Sequence, residues 1–418
     1  MLLGAVADDL TGATDLSLTL SREGMKTVQV VGVPGGPGEF GDAEAVVVAL
    51  KSRTIKAVDA VSQSIASAER LLDAGARQLV FKYCSTFDST DEGNIGPVTE
   101  ALLQLLGDTA TIACPAFPTN GRSVYQGHLF VGDRLLSESP MKDHPLTPMR
   151  DSDLVRVLQR QTKIGVSLIP LKIVSARASA IASALKERRG IVVVDAVSDA
   201  DLRAIGEAAA TLKLVTGGSG IALGLPENFR RAGLLPPRPA GTGFSAPAGG
   251  AVILSGSCSQ QTRRQVEVAI TGGLRSIKVD PVAIADGSMT ADAAVAFVAA
   301  DPGEKPPLVY SSADPAAVKA AQETLGKAHA GTIVEEFLAE VATRLADKGF
   351  SRFIVAGGET SGAVVAALGV RAFEIGPEID PGVPWVLSRG AERPVAMALK
   401  SGNFGSDDFF LKAWEHLQ

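Results

Sequence analysis

Cysteine occurs three times in 418 residues, at Cys84, Cys114 and Cys258, and no two of them form a CxxC pair. That scarcity argues against a disulfide framework and against a cysteine-based zinc site. The four histidines, His128, His144, His329 and His416, are scattered and offer no metal-ligand spacing. Positive charge is not in excess: net charge is −6, with acidic and basic residues mixed along the chain, so nucleic acid is not an expected partner. No apolar run reaches the ~18–20 residues that cross a bilayer. The opening MLLGAVADDL meets acid at position 8 where a secretory leader would carry basic residues. A soluble, cytoplasmic protein without membrane contact is the expectation. The 46% hydrophobic and 21% charged residues fit an ordinary globular one.

What the chain does have is alternation. Short apolar, β-branched runs recur at LLGAVA (2–7), TVQVVGV (27–33), AVVVAL (45–50), QLVFK (78–82), TIAC (111–114), IVVVDA (191–196) and KLVT (213–216). Stretches with helical spacing, such as 57–75 and 178–189, separate several of them. Continuous apolar strands alternating with helices predict an α/β protein with mostly parallel sheets flanked by helices. Residues 236–250, PPRPAGTGFSAPAGG, break the pattern with eight Pro or Gly in fifteen and read as a linker. The alternation then resumes with AVILSG (251–256), LRSIKV (274–279), PLVYSS (307–312), RFIVAG (352–357) and VAMALK (395–400). A chain this long exceeds a single core. Two domains are expected, 1–235 and 251–418, with a cleft between them.

In open α/β sheets ligands bind beyond the carboxyl ends of strands, where helix N-termini face the crevice. GPGEFG (36–41) matches the dinucleotide fingerprint in letters, yet it contains Pro37 and precedes a strand; GTGFSA (241–246) falls in the linker. FIVAGGETSGAVVAALGV (353–370) is different: a strand, a glycine turn with Thr360 and Ser361, then a small-residue helix. Such a turn suits a phosphate, although it has no GK[ST] and is not a Walker loop. LVTGGSGIA (214–222) and VILSGSCSQQT (252–262) are two further junctions of this kind.

The first strand ends on Asp8 and Asp9, followed by a turn almost without bulk. Neighbouring strand residues point to opposite faces, so the two carboxylates are expected to act separately. Asp9 is the candidate base; it or Thr11 also suits the N-cap of the following helix. The exit FKYCSTFDSTDEGNIGP (81–97) gathers Lys82, Thr86, Asp88, Ser89 and Asn94, a set suited to a small polyhydroxylated acid. Asn120 and Arg122 lie on a third turn. Arg122 and Arg53 are the candidates for a bidentate grip on a carboxylate.

VADDLTGA, KSRT, FKYCSTFDSTDEGNIG, CPAFPTNGRSVYQGHLFV, ESPMKDHPLTPM, LVTGGSGIA, SGSCS, GGETSG and KSGNFG, in this order, resemble the four-carbon acid sugar kinase family, and within it the 3-oxo-tetronate kinases most. The resemblance implies an N-terminal acid-sugar-binding domain and a C-terminal nucleotide-binding domain. It implies ATP-dependent 4-phosphorylation of a four-carbon sugar acid, with a sugar acid and ATP as partners and a homodimer as an assembly it allows. Carried over by motif, the ATP contacts fall on Ser255 or Ser257, on Gly357, Gly358, Glu359 and Thr360, and on Gly402. Asp8, Thr11, Arg53, Lys82, Thr86, Asp88, Ser89, Asn94, Asn120 and Arg122 are then the sugar-acid candidates. FKYCSTFDST departs from the KxDS[T] form of threonate and erythronate kinases, which points to the 3-oxo acid. Mg2+ would be held largely by the nucleotide and water, without a dedicated set of protein ligands. The competing readings are a threonate or erythronate 4-kinase, a non-catalytic sugar-acid sensor and, more weakly, a nicotinamide-dependent dehydrogenase.

Overall fold

A computed structural model of the chain describes residues 1–144, 147–237, 244–300, 305–390 and 393–417. Two compact units make up the chain, Met1–Ala240 and Gly241–Gln418.

In the first unit the apolar runs become β1 (Leu3–Ala7), β2 (Thr27–Val31), β3 (Ala45–Ala49), β4 (Gln78–Lys82) and β5 (Ala110–Cys114). A small antiparallel sheet follows, of β6 (Arg122–Tyr125), β7 (His128–Val131) and β8 (Arg134–Leu135). Then come β9 (Val166–Ile169), β10 (Gly190–Val194) and β11 (Leu214–Gly217). The large sheet runs β2-β3-β1-β4-β11-β5-β10-β9, with every neighbouring pair parallel. All five residues of β1, β3, β4, β5 and β10 are buried, as parallel strands covered on both faces must be. Helices such as Leu10–Arg22, Ala57–Asp73 and Ile95–Leu106 connect the strands. The chain leaves β1 towards β2 on one side and later reaches β4 on the other. β1 is therefore a topological switch point, where a crevice opens at the strand ends.

The second unit contains β12 (Gly250–Ser255), β13 (Ser276–Lys278), β14 (Leu308–Tyr310), β15 (Phe350–Ala356), β16 (Ala372–Asp380), β17 (Val383–Ser388) and β18 (Ala396–Lys400). Its strands run in the order β13-β14-β12-β15-β18-β17-β16; the first five are parallel, and β18, β17 and β16 pair antiparallel. Here β12 is the switch point, flanked by β14 and β15. The core gathers Ile253, Ile354, Ala398, Phe409 and Trp385, whose indole Nε1 donates to the Ala413 carbonyl at 2.9 Å.

The expected linker 236–250 lies partly outside the described residues, at 238–243. From 244 onward it belongs to the second unit: Phe244 packs on that core, and the Ser351 hydroxyl donates to the Ala248 carbonyl at 3.0 Å. In the decoy GPGEFG, residues 37–39 form a single 3-10 turn. Two residues of ESPMKDHPLTPM, 145 and 146, fall outside the described set. No helix of the described residues is long and apolar enough to cross a membrane.

Candidate active site

Helix Leu10–Arg22 starts directly after β1, and Asp9 is its N-cap: one carboxylate oxygen accepts from Gly12 N at 3.0 Å, the other from Thr11 Oγ1 at 3.1 Å. Asp9 Oδ1 also lies 2.9 Å from Arg53 Nη2. Asp8 receives Arg53 in bidentate fashion, Nε and Nη2 each at 2.9 Å, and Asp88 Oδ2 stands 3.6 Å from Arg53 Nη1. Two sequence expectations are corrected here. Asp8 and Asp9 do not act on opposite faces, because β1 has ended at Ala7 and both turn onto one guanidinium. Arg53 has no free fork for a substrate carboxylate; three carboxylates of the chain already share it.

The cation that stays free is Lys82, at the end of β4. It is buried, and among the described residues its ammonium makes no hydrogen bond or ion pair. Its Nζ lies beside Gly12, where a Cβ would land on both the Lys82 ammonium and the Asp9 carboxylate. The small-residue turn after β1 thus leaves room for a cation, and this answers why bulk is missing there.

Burial pushes the Asp9 carboxyl up, but Arg53, Lys82 and the Thr11 and Gly12 hydrogen bonds outweigh it and hold Asp9 below the usual carboxylate range. For Asp8 burial prevails over Arg53, with Asp9 adding repulsion, and its carboxyl is raised. Asp9 is the most open of the three, with 27% of its side chain exposed against 8% for Asp8 and 9% for Asp88.

Around this cluster, Thr86 Oγ1 donates to Asp88 at 2.6 Å. Asn94 braces the Arg53 loop by donating to the Ser52 and Ile55 carbonyls at 2.7 and 3.0 Å. Ser89 Oγ accepts from Gln161 Nε2 at 2.9 Å. Asn94 and Ser89 thus hold loops. Arg122 donates to the Asn120 carbonyl. Asn120 Nδ2 and Arg122 Nε are buried without partners among the described residues. No hydrogen bond or ion pair among those residues joins this pair to Asp8 or Arg53, and β5, which leads to it, is three strands from β1.

In the second unit three turns meet at the ends of β12, β15 and β18. A Cβ on Gly256 would strike Thr360 Oγ1. One on Gly357 would lie 2.9 Å from Thr360 Oγ1 and 3.3 Å from Ser257 N, and one on Gly402 2.6 Å from Ser257 Oγ. Gly357 also has φ +124°, which disfavours any side chain. Gly358, by contrast, has no positive φ, and its Cβ would meet nothing within 4 Å.

Helix Gly358–Ala367 starts without a side-chain cap, which leaves its first N–H groups available to an anion. The first two of these turns open on a cavity of about 330 Å³ lined by Gly256, Ser257, Gly357, Gly358, Glu359 and Thr360, and the turn after β18 adjoins it through Gly402, beside Ser257. Val279, Ala317, Val318, Ala321 and Val334 give it an apolar wall that suits a planar base, and Lys278, Asp280, Gln322 and Glu335 line it as well. The helical part of this wall was not legible in the sequence, since its small apolar residues read as core.

Of the alternatives Ser255 and Ser257, Ser255 is fully buried against Ser312 Oγ at 3.0 Å, and Ser257 is the one on the cavity. The third expected anion turn, LVTGGSGIA, is corrected: Cβ atoms on Gly217, Gly218 and Gly220 would meet the carbonyls of Cys114, Pro115 and Ala116. Those glycines permit close backbone packing.

One unit thus presents a charged crevice and the other a glycine-lined anion cavity, the division of a two-substrate transferase. A model described as a sugar-binding N-terminal domain matches residues 3–225, and one described as a nucleotide-binding C-terminal domain matches 252–410. A 3-oxo-tetronate kinase of Cupriavidus necator is 57% identical, covering 100% of this chain and 97% of its own length. One of Salmonella typhimurium is 44% identical over 100% and 99%. Among solved structures, a Salmonella typhimurium protein matches with TM-score 0.88 and 41% identity, covering 100% of this chain and 99% of its own. A Haemophilus influenzae protein matches at 0.81 and 40%, covering 99% and 100%. The chain belongs to the four-carbon acid sugar kinase family.

Proposed function

We propose that this protein transfers the terminal phosphoryl group of ATP to the 4-hydroxyl of a 3-oxo-tetronate. The full-length likeness to 3-oxo-tetronate kinases carries this reading, ahead of a threonate or erythronate kinase or a sensor. ATP supplies the phosphoryl group, and Mg2+ would rest chiefly on its phosphate oxygens and on water. The turn at 357–360, with Ser257 and the nearby Gly402, would hold the phosphates.

Lys82 would take the sugar-acid carboxylate, with Thr86 and Asp88 beside it. Asp9 orients the 4-hydroxyl and accepts its proton as the oxygen–phosphorus bond forms and the bond to ADP breaks. Loose phosphoryl transfer releases that proton late, so a carboxylate held ionised serves well. Arg53 fixes Asp9 in place. The cytoplasm, where ATP is abundant, is the proposed location, with a homodimer as the assembly to test by sedimentation.

The test is ADP release from purified protein with ATP, Mg2+ and each four-carbon acid, with 31P NMR locating the phosphate. Turnover with the 3-oxo acid at least tenfold above threonate and erythronate, giving the 4-phosphate, is the expected result. No ADP release with any such acid would make the protein a sensor.

A further inference from the structure

Lys400 ends β18, and its side chain is fully buried. Its ammonium donates only to neutral oxygens, Thr262 Oγ1 at 3.0 Å and the Gly402 carbonyl at 3.4 Å. Its backbone pairs with Ala356, and its carbonyl receives the Gly357 N–H at 2.9 Å. Gly402, above the ammonium, abuts Ser257 on the cavity wall. Lys400 therefore touches two turns of the nucleotide site, at Gly357 and Gly402, and, at Thr262, the helix that follows the other.

The charged groups on every element packed around it are otherwise engaged or directed elsewhere. On helix Gln260–Thr271, Arg264 pairs with Glu267 and Asp407, and Arg263 faces Asp314. On β15, Arg352 donates to the Gly249 carbonyl. Lys412 pairs with Asp380 and Asp408. Glu359 on helix Gly358–Ala367 has interactions of its own, and none of these carboxylates pairs with Lys400 among the described residues. A buried ammonium with no counter-ion is costly to maintain in a ligand-free protein.

We propose that Lys400 supplies a buried positive charge to the nucleotide site, acting on the polyphosphate from behind Gly402 and Thr262, the two residues its ammonium contacts. This rests on the nucleotide reading above and adds to it. The phosphate loop has no Walker lysine, and this side chain fills that electrostatic role from a different strand and without surface exposure. In low-dielectric surroundings its field reaches the phosphates with little screening. Burial alone lowers the Lys400 ammonium to about 7. In the empty site it is therefore largely neutral at pH 8, and an arriving polyanion draws a proton onto it. An ordinary lysine is already charged at pH 8 and has no proton to gain.

Titration calorimetry of the whole chain with ATP and Mg2+, in two buffers of different ionisation heat, reads this directly. The wild type should take up close to one proton per ATP at pH 8 and almost none at pH 6. Its ATP affinity should fall up to tenfold per pH unit above pH 7. Lys400→Met should abolish the uptake and lower ATP affinity at least tenfold at pH 6.5, leaving KM for the sugar acid unchanged. Lys400→Arg, permanently charged, should bind ATP without uptake. ATP binding to the wild type with no proton uptake at pH 8 would overturn the proposal even if no variant folds, as would full uptake by folded Lys400→Met. Absence of any ATP binding by the wild type would instead remove the nucleotide reading itself.

Discussion

Three carboxylates and one guanidinium make the crevice of the first unit electrically crowded. Asp8, Asp9 and Asp88 gather on the single guanidinium of Arg53, and an acid substrate adds one more carboxylate. Lys82, the cation not committed to an ion pair, decides whether that acid is tolerated. Lys82→Met should raise KM for the sugar acid at least tenfold, while KM for ATP stays within about twofold. Asp9→Asn keeps the size and most of the capping of Asp9 but removes its basicity. We expect kcat to fall 10²–10⁴-fold with ATP affinity and the thermal melt nearly unchanged. If Asp9→Asn keeps full kcat, Asp9 serves only as a helix cap. If Asp8→Asn or Asp88→Asn abolishes turnover in its place, the base is that residue. Arg53→Lys should lower kcat, because the guanidinium it removes forks onto Asp8, reaches Asp9 through Nη2 and does not face the substrate directly.

The turn after β15 shows what an element can reveal that its letters cannot. GGETSG reads as three equivalent glycines, yet only Gly357 is conformationally required and only Gly358 opens freely on the cavity. Gly358→Val should therefore fold with an unchanged melt and lose at least tenfold in ATP affinity. Gly357→Val should lower the melting temperature, because it combines a φ of +124° with a clash at Thr360 Oγ1. A Gly358→Val protein that binds ATP normally would take the phosphates away from this turn.

Strands were legible to within a few residues because buried parallel strands are continuous apolar runs, as AVVVA in β3 is. The antiparallel pair β16 and β17 was not: AFEIGPEID interrupts its apolar letters with Glu374, Gly376, Pro377 and Glu378. Arg122–Leu135 folds into short strands too polar to stand out. In the site, the residue types after β1 and β4 were legible, but their pairing was not. Nothing local tells that Arg53, 45 residues from Asp8, is consumed by it. Lys400 stands in the sequence as the last letter of VAMALK and the first of KSGNFG with no role given to it, since a lysine closing an apolar strand looks like a solvated charge. Its place at the carboxyl end of a buried parallel strand was the available signal.

Each unit repeats one plan: its first strand is the switch point, and its site lies at the carboxyl ends of that strand and of the strand joined on its far side. β1 with β4 carries the carboxylates and Lys82; β12 with β15 carries the glycine turns. The two sites are thus built from separate stretches of chain, and each ligand should order only its own. Hydrogen exchange of the whole protein can separate them, because loop amides at strand ends are the least protected before a ligand fixes them. ATP with Mg2+ alone should slow exchange in 256–262, 357–361 and 400–405. The sugar acid alone should slow it in 8–13, 52–55 and 82–94. The division rests on two features: a carboxylate seeks Lys82, and a polyphosphate seeks the uncapped helix start at Gly358. Should ATP alone protect 8–13 and 82–94, the phosphates would be seated among the carboxylates of the first unit. The assignment of both sites would then be reversed, and the unspent Lys82 would be a phosphate ligand.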